Sequence, residues 1–225
     1  ISPEIQQYFV ERRTDGAPIN KNSRAIIYQR SKNVGATHPF GTEMNVYEEG
    51  YEFITHSMYP KKIKEEPRVM IGEGQCAKPY SASLYNISAM SFGSMSKNAV
   101  LAMNKGAAKG KFFHNTGEGG IAPYHKVGGD LSWQIGTGYF GCRNEDGTFN
   151  ETMFQENATH ESVKIIEVKL SQGAKPGKGG ILPGKKVTPE IAKIRAVPVG
   201  KDVLSPSHHS AFSDPKGLLN FCDKL

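Results

Sequence analysis

Val163-Lys164-Ile165-Ile166-Glu167-Val168-Lys169-Leu170 reads as a β-strand, and it runs straight into Ser171-Gln172-Gly173-Ala174-Lys175-Pro176-Gly177-Lys178-Gly179-Gly180. β-Branched residues fill the first stretch, as a pleated, half-buried surface favours. The second is polar and glycine-rich, so its backbone can turn sharply or lie close to a ligand. Further on, Thr188-Pro189-Glu190-Ile191-Ala192-Lys193-Ile194-Arg195 has the marks of a helix start, with Thr188 as cap and Pro189 at the first helical position. Strand, polar loop, helix is the α/β rhythm. In such folds ligands collect beyond the carboxyl ends of the strands.

The same rhythm appears upstream. Leu84-Tyr85-Asn86-Ile87-Ser88-Ala89-Met90 is strand-like and leads into Ser91-Phe92-Gly93-Ser94-Met95-Ser96. A helix follows, capped by Ser96, with Ala99, Val100, Met103, Ala107 and Ala108 at helical spacing and Gly110 at its end. Lys111-Phe112-Phe113-His114 is a short strand that feeds Asn115-Thr116-Gly117-Glu118-Gly119-Gly120. Val203-Leu204-Ser205-Pro206 is a candidate short strand, and Pro215 to Leu225 a final helix. Of the 25 glycines, 17 lie between Ser91 and Gly184, which marks residues 81–225 as the ligand-handling part. Residues 1–80 form a lead-in expected to wrap that part. It holds a helix from Pro3 to Val10 with Ser2 as cap, a second from Asn22 to Ser31, and turns with short aromatic stretches between His38 and Pro79.

Two phosphate-binding motifs are present in letter only. Gly136-Thr137-Gly138-Tyr139-Phe140-Gly141 matches GxGxxG, but Cys142 to Gly147 reads as a turn where a dinucleotide fold needs a helix. Gly179 to Lys186 approaches a P-loop, but Lys186 stands where a Mg-binding hydroxyl is required. His208-His209 are adjacent and have no third ligand at a recognisable spacing, so they read as loop histidines, not as a metal pair. Cys76, Cys142 and Cys222 are odd in number and widely spaced. They define neither a disulfide framework nor a metal cluster, and they fit a reducing, cytoplasmic location. Three Asn-x-Ser/Thr matches, at Asn86, Asn150 and Asn157, are read as chance. No stretch approaches the roughly 18 consecutive apolar residues of a membrane span. The net charge of +6 points to an anionic partner, but it is dispersed, the longest cluster being Lys61-Lys62-Ile63-Lys64. That favours a small anionic ligand over nucleic acid. The Asn115–Gly120 loop offers an amide, a hydroxyl and a carboxylate together. Lys169, at a strand end, could stabilise negative charge on a bound ring or stand in water as a rim lysine.

Ile87 to Gly93, His114 to Gly120, Gln134 with Gly138 to Gly141, and Lys169 to Gly177 occur in this order. Together they resemble the FMN-binding synthase domain of glutamate synthases, and in particular the stand-alone glutamate synthase-related proteins. The resemblance implies a (β/α)8 TIM barrel, of which this chain would hold the first half behind its amino-terminal helical and loop extension. A closed barrel of this kind takes about 250 residues, so the chain is expected to be the amino-terminal part of a longer protein and weak or inactive alone. The implied activity is FMN-dependent reductive amination of 2-oxoglutarate, by way of 2-iminoglutarate, to L-glutamate. The implied partners are 2-oxoglutarate, ammonia or an ammonia donor, and an electron donor, either a subunit linked to reduced pyridine nucleotide or a ferredoxin. By the same resemblance Met90, Ser91 and Gly93 lie against the flavin, and Asn115, Thr116 and Gln134 hydrogen-bond its ring. Lys169 stabilises the reduced ring, and Glu118, Gln172 and Lys175 bind or orient the oxoacid. Large synthases of the family carry an amino-terminal cysteine nucleophile and a cysteine cluster for a 3Fe–4S centre. Here Ile1 stands first and the cysteines are scattered, so no iron–sulfur cluster is expected. Two other readings stay open. One is an FMN oxidoreductase acting on another oxoacid. The other is a non-catalytic, degenerate barrel that binds a partner, or a second copy of itself, through an unfinished edge.

Overall fold

A computed structural model describes residues 21–35, 45–173 and 177–225. The chain divides into two compact units, residues 1–61 and 62–225. In the first, helix α1 (Lys21–Ser31) stands where the sequence predicts it. Asn33 then adopts a left-handed φ of 57°, and the Val34 N–H closes back onto the Gln29 carbonyl. The helix expected over Pro3–Val10 lies outside the described residues.

The second unit opens with an antiparallel hairpin, β1 (Arg68–Ile71) and β2 (Tyr80–Ser83), with Arg68 opposite Ser83 and Ile71 opposite Tyr80. The sequence reading put turns here and placed a strand at 84–90 instead. In the structure that stretch turns, and only Ile87 keeps a parallel bridge, to His114. Helix α2 (Lys97–Gly110) follows as expected. The Ser96 hydroxyl accepts the Ala99 N–H at 3.3 Å, and the helix ends at Lys111, which takes a left-handed φ of 54°. Strand β3 (His114–Asn115) begins at the last residue of the predicted strand.

β4 (Leu131–Ile135), α3 (Glu151–Ala158) and β5 (Val163–Val168) complete a strand–helix–strand crossover. The three strands make one parallel sheet in the order β3-β4-β5. β6 (Ile181–Leu182) and β7 (Val203–Leu204) pair antiparallel with each other, on either side of α4 (Pro189–Arg195) in the chain. Helix α5 (Pro215–Lys224) starts at its Asp214 cap. The architecture is mixed α/β around an open parallel sheet; among the described residues no barrel closes.

All five residues of β4 are buried, and alternation sorts them between an apolar and a polar face. Leu131, Trp133 and Ile135 point to the helical side, where Trp133 stacks on Phe154 of α3 at 5.4 Å. Phe221 of α5 joins the same core, against Tyr139 and Phe149. Burial there pushes the Cys142 thiol up to about 12, so it is an inert core residue. Asn104 of α2 is fully buried, and its Oδ1 accepts the N–H groups of Val127 and Gly129 at 3.1 and 3.0 Å. This amide holds the loop that delivers the chain to β4. A Cβ at Gly129 would lie 2.6 Å from the Asn104 carbonyl, so the approach needs glycine.

His114 is also fully buried, beside His125 at 5.2 Å between ring centres, and neither of its ring nitrogens has a partner. Burial, then His125, hold it down at about 4. His125 accepts the Ala122 N–H at Nδ1, so its Nε2–H donates to the Met90 carbonyl at 3.1 Å.

Two outcomes follow from these buried groups. Asn104→Ala strands one buried and one part-buried N–H group and is expected to cost about 1–3 kcal/mol in urea unfolding; a loss within experimental error would show that the loop does not depend on this amide. Because the His114 pKa is lower folded than unfolded, the unfolded chain takes up the proton first. Stability from this residue is complete above about pH 6.5 and lost as pH falls to about 4, a total of about 3 kcal/mol. Unfolding curves of His114→Phe should lack that part of the acid slope, and equal slopes in both proteins would exclude His114 as its source.

Candidate functional site

The parallel ladder sets one face of β4 and β5 against the apolar core and turns a polar face the other way. Gln134 pairs in register with Glu167, and Ile135 with Val168. One more ladder bond, from the Lys169 N–H to the Ile135 carbonyl at 2.8 Å, extends the pairing past the end of β5. Ser132, Gln134, Glu167 and Lys169 therefore alternate onto the face away from Trp133 and Ile166. A cleft of about 400 Å³ runs along this face, lined by Asn86, Ser88, Phe113, Asn115, Gln134 and Glu167. The Glu167 carboxylate takes hydrogen bonds from the side-chain amides of Asn115, at 3.1 Å, and Gln134. A carboxylate only accepts, so both amides turn their NH2 groups to it. The Gln134 Oε1 is then a buried acceptor without a partner.

A second cluster forms where the loops after β3 and β5 meet. The Glu118 Oε1 accepts from the Gln172 Nε2 at 2.6 Å and lies 3.5 Å from the Lys169 Nζ. Gln172 turns its Oε1 to the same ammonium at 3.4 Å. A carboxylate, an amide and an ammonium thus close a ring with consistent polarity. All three are about a quarter exposed or less inside their own crevice, or half-buried, so an incoming anion can reach the cation. A Cβ at Gly136 would stand 2.4 Å from the Glu118 Oε2, so the loop after β4 must be glycine here to admit that carboxylate.

Arg195, the last residue of α4, approaches from the other side. Its guanidinium is buried, lies 5.2 Å over the Phe140 ring, and donates from Nη2 to the Phe92 carbonyl at 3.3 Å. Its Nε has no partner. Burial lowers its pKa, and the charge of Glu118 works against that shift. Ser91, Ser94, Glu118, Gly180, Arg195 and Ser205 line a cavity of about 150 Å³. Sequence reading left Arg195 as one more helical cation. The signal it lacked was the pair of close approaches at Gly93 and Gly119, where an added Cβ would meet the Arg195 Nη2 at 3.2 and 2.8 Å.

The other predicted residues fall around these two clusters. The Thr116 hydroxyl is fully buried, donating to the Gly117 carbonyl and accepting the Gln134 N–H, so it ties β3 to β4. Met90 is held by both backbone groups, its N–H to the Asn115 carbonyl and its carbonyl to His125. Ser91 packs so closely on Gly117, at φ +65°, that a Cβ there would lie 2.8 Å from the Ser91 nitrogen. Gly93 takes φ +105°. Lys175 lies outside the described residues. His209 is buried, where its nitrogens meet the Tyr139 hydroxyl and the Lys169 carbonyl. The GxGxxG stretch is a loop with no helix starting in it, as its context indicated. No helix among the described residues is long and apolar enough to cross a membrane.

Comparison with known proteins gives this geometry a family. The glutamate synthase large subunit-like protein YerD of Bacillus subtilis is 32% identical over the whole of this chain, which spans 51% of that protein. The archaeal-type glutamate synthase [NADPH] of Thermotoga maritima is 40% identical over 56% of this chain and 22% of its own length. The archaeal glutamate synthase [NADPH] of Methanocaldococcus jannaschii is 38% identical over 56% of this chain. The chain thus spans about half the length of the first relative and under a quarter of the other two. Residues 30–225 match the family model described as the conserved region in glutamate synthase, and the chain belongs to the glutamate synthase family.

Proposed function

We propose that this chain carries the flavin-edge and oxoacid sites of an FMN-dependent oxidoreductase of glutamate synthase type, built on the first half of a (β/α)8 barrel. The observation that carries the reading is the meeting of Glu118, Lys169 and Gln172 within 3.5 Å, from loops far apart in sequence, beside the parallel strand ends. Family membership adds the reaction class, and the names of the archaeal-type relatives point to NADPH as a source of electrons.

The residues present fit an isoalloxazine edge. That edge alternates N–H donors and carbonyl acceptors, and the cleft offers an orphaned buried acceptor at Gln134 beside the Asn115 amide. Met90 and Ser91 hold the neighbouring backbone against Gly117. FMN bound there would supply the hydride for reductive amination of 2-oxoglutarate by way of 2-iminoglutarate, with ammonia as the nitrogen source. The chain's own residues bind and orient. Lys169 places a positive charge where negative charge gathers, in a crevice where it is worth more than in water. Gln172 offers an amide donor to a carboxylate. Glu118 keeps Lys169 and Gln172 in place until an anion takes over those contacts. Arg195 adds a second cation, a buried one, in the cavity it lines together with Glu118.

Titrating FMN into the full-length protein should give the shifted visible spectrum of a bound flavin, and Gln134→Leu should need about tenfold more FMN. A flavin spectrum unchanged by the full-length wild-type protein would contradict the cleft assignment. In the full-length protein Lys169→Met is expected to slow glutamate formation by about 10²-fold with an unaltered melting temperature. Undiminished turnover would remove Lys169 from the reaction.

A further inference from the structure

The adjacent histidines find no use in the site as described, yet His209 is one of the most deeply buried polar residues, with 2% of its surface exposed. Its ring stacks on Phe212 at 4.9 Å, and its two nitrogens make different bonds. Nε2 lies 2.9 Å from the Lys169 carbonyl oxygen, and Nδ1 lies 3.0 Å from the Tyr139 hydroxyl. A carbonyl can only accept, so the proton sits on Nε2 and the Nδ1 lone pair accepts from the Tyr139 O–H. The Tyr139 oxygen in turn accepts the Ala211 N–H at 3.2 Å. Every polar atom in this chain of bonds has one defined role.

The last link falls on the residue that matters most to the proposed reaction. Lys169 follows the final residue of β5, and its N–H is held by the Ile135 carbonyl. With its own carbonyl held by His209, both peptide planes around Lys169 are fixed, and so is the direction of its Cα–Cβ bond. That direction sends the ammonium toward Glu118 and Gln172. Without the second tether the carbonyl would belong to the glycine-rich loop and move with it.

We propose that His209, oriented by Tyr139, is a positioning residue for Lys169: it clamps the Lys169 carbonyl and thereby sets the ammonium against Glu118. The clamp matters to catalysis in so far as Lys169 acts as proposed above. The placement itself is a property of the folded chain without any ligand.

Reductive methylation with 13C-formaldehyde tests this on the purified chain, since it labels each lysine while keeping its charge. The Lys169 signal is the one absent from Lys169→Arg, and its displacement in Glu118→Gln calibrates loss of the ion pair. The two amide replacements of His209 separate placement from packing. His209→Gln can put an N–H donor near the position of Nε2, whereas His209→Asn reaches only as far as Nδ1. The Lys169 signal should stay near its wild-type position in His209→Gln and move toward the Glu118→Gln position in His209→Asn. A wild-type signal in His209→Asn, or the same displacement in both variants, would overturn the proposal. Should His209→Asn fail to fold, Tyr139→Phe removes only the hydroxyl that orients the ring. It is expected to move the Lys169 signal in the same direction, and an unmoved signal there overturns the proposal equally. Neither flavin nor turnover enters this measurement, so failure of FMN to bind would strike the proposed function and leave the clamp standing.

Discussion

Parallel pairing between β4 and β5 is the constraint on which the rest depends. It fixes which side chains share a face, because a slip of one residue would turn Gln134, Glu167 and Lys169 into the apolar core and bring Trp133 and Ile166 out. Burial of Trp133 against Phe154 makes that slip prohibitive. It also fixes where the strands stop. Parallel strands deliver their carboxyl ends to one side, so the loops carrying Glu118, Gly136, Lys169 and Gln172 meet without any long-range contact designed for that purpose alone.

Electrostatics then sorts the loops. Glu118 pairs with a partly exposed ammonium at Lys169, and its charge also acts on a buried guanidinium at Arg195. Desolvation offsets much of what such a partly buried pair gains, so its worth to stability is small. The Glu118 charge lies close to both cations and offsets their mutual repulsion. Glycines at 117, 119 and 136 leave room for the close approach of Ser91, Arg195 and Glu118 respectively.

How much of this was legible in the sequence differs by element, for physical reasons. Helices α2 and α4 announced themselves through Ser96 and Thr188, whose hydroxyls do accept the N–H groups expected of caps. β5 was legible from its β-branched run. β4 was missed, because its polar face carries Ser132 and Gln134, and five residues with polar groups on one side give too short an alternation to stand out. Helix α3 was missed for a related reason: it buries only Phe154 deeply, and its Asn150 cap follows a turn rich in Asn and Asp. The strand expected at 84–90 shrank to a single bridge at Ile87, with Asn86 spending its amide on the Phe113 N–H and the Ser83 carbonyl. Within the site, Glu118, Lys169 and Gln172 could be picked from the loops that follow strands. Arg195 could not, since only tertiary packing brings the end of α4 under Ser91. The fate of the histidine pair was half legible: a loop position, without the buried bonds of His209.

Tyr139 holds a backbone φ of 47°, a left-handed conformation that costs a non-glycine residue on the order of 1 kcal/mol or more. It stays there because its ring is enclosed and its hydroxyl is bonded both to His209 and to the Ala211 amide. The loops around 139 and 209 are therefore one cooperative unit. Opening either loop breaks bonds that hold the other, so the two are coupled. When both open, the strained tyrosine relaxes and Lys169 loses its tether. The persistence of this cluster is then tied to the loops behind it as well as to the charges within it.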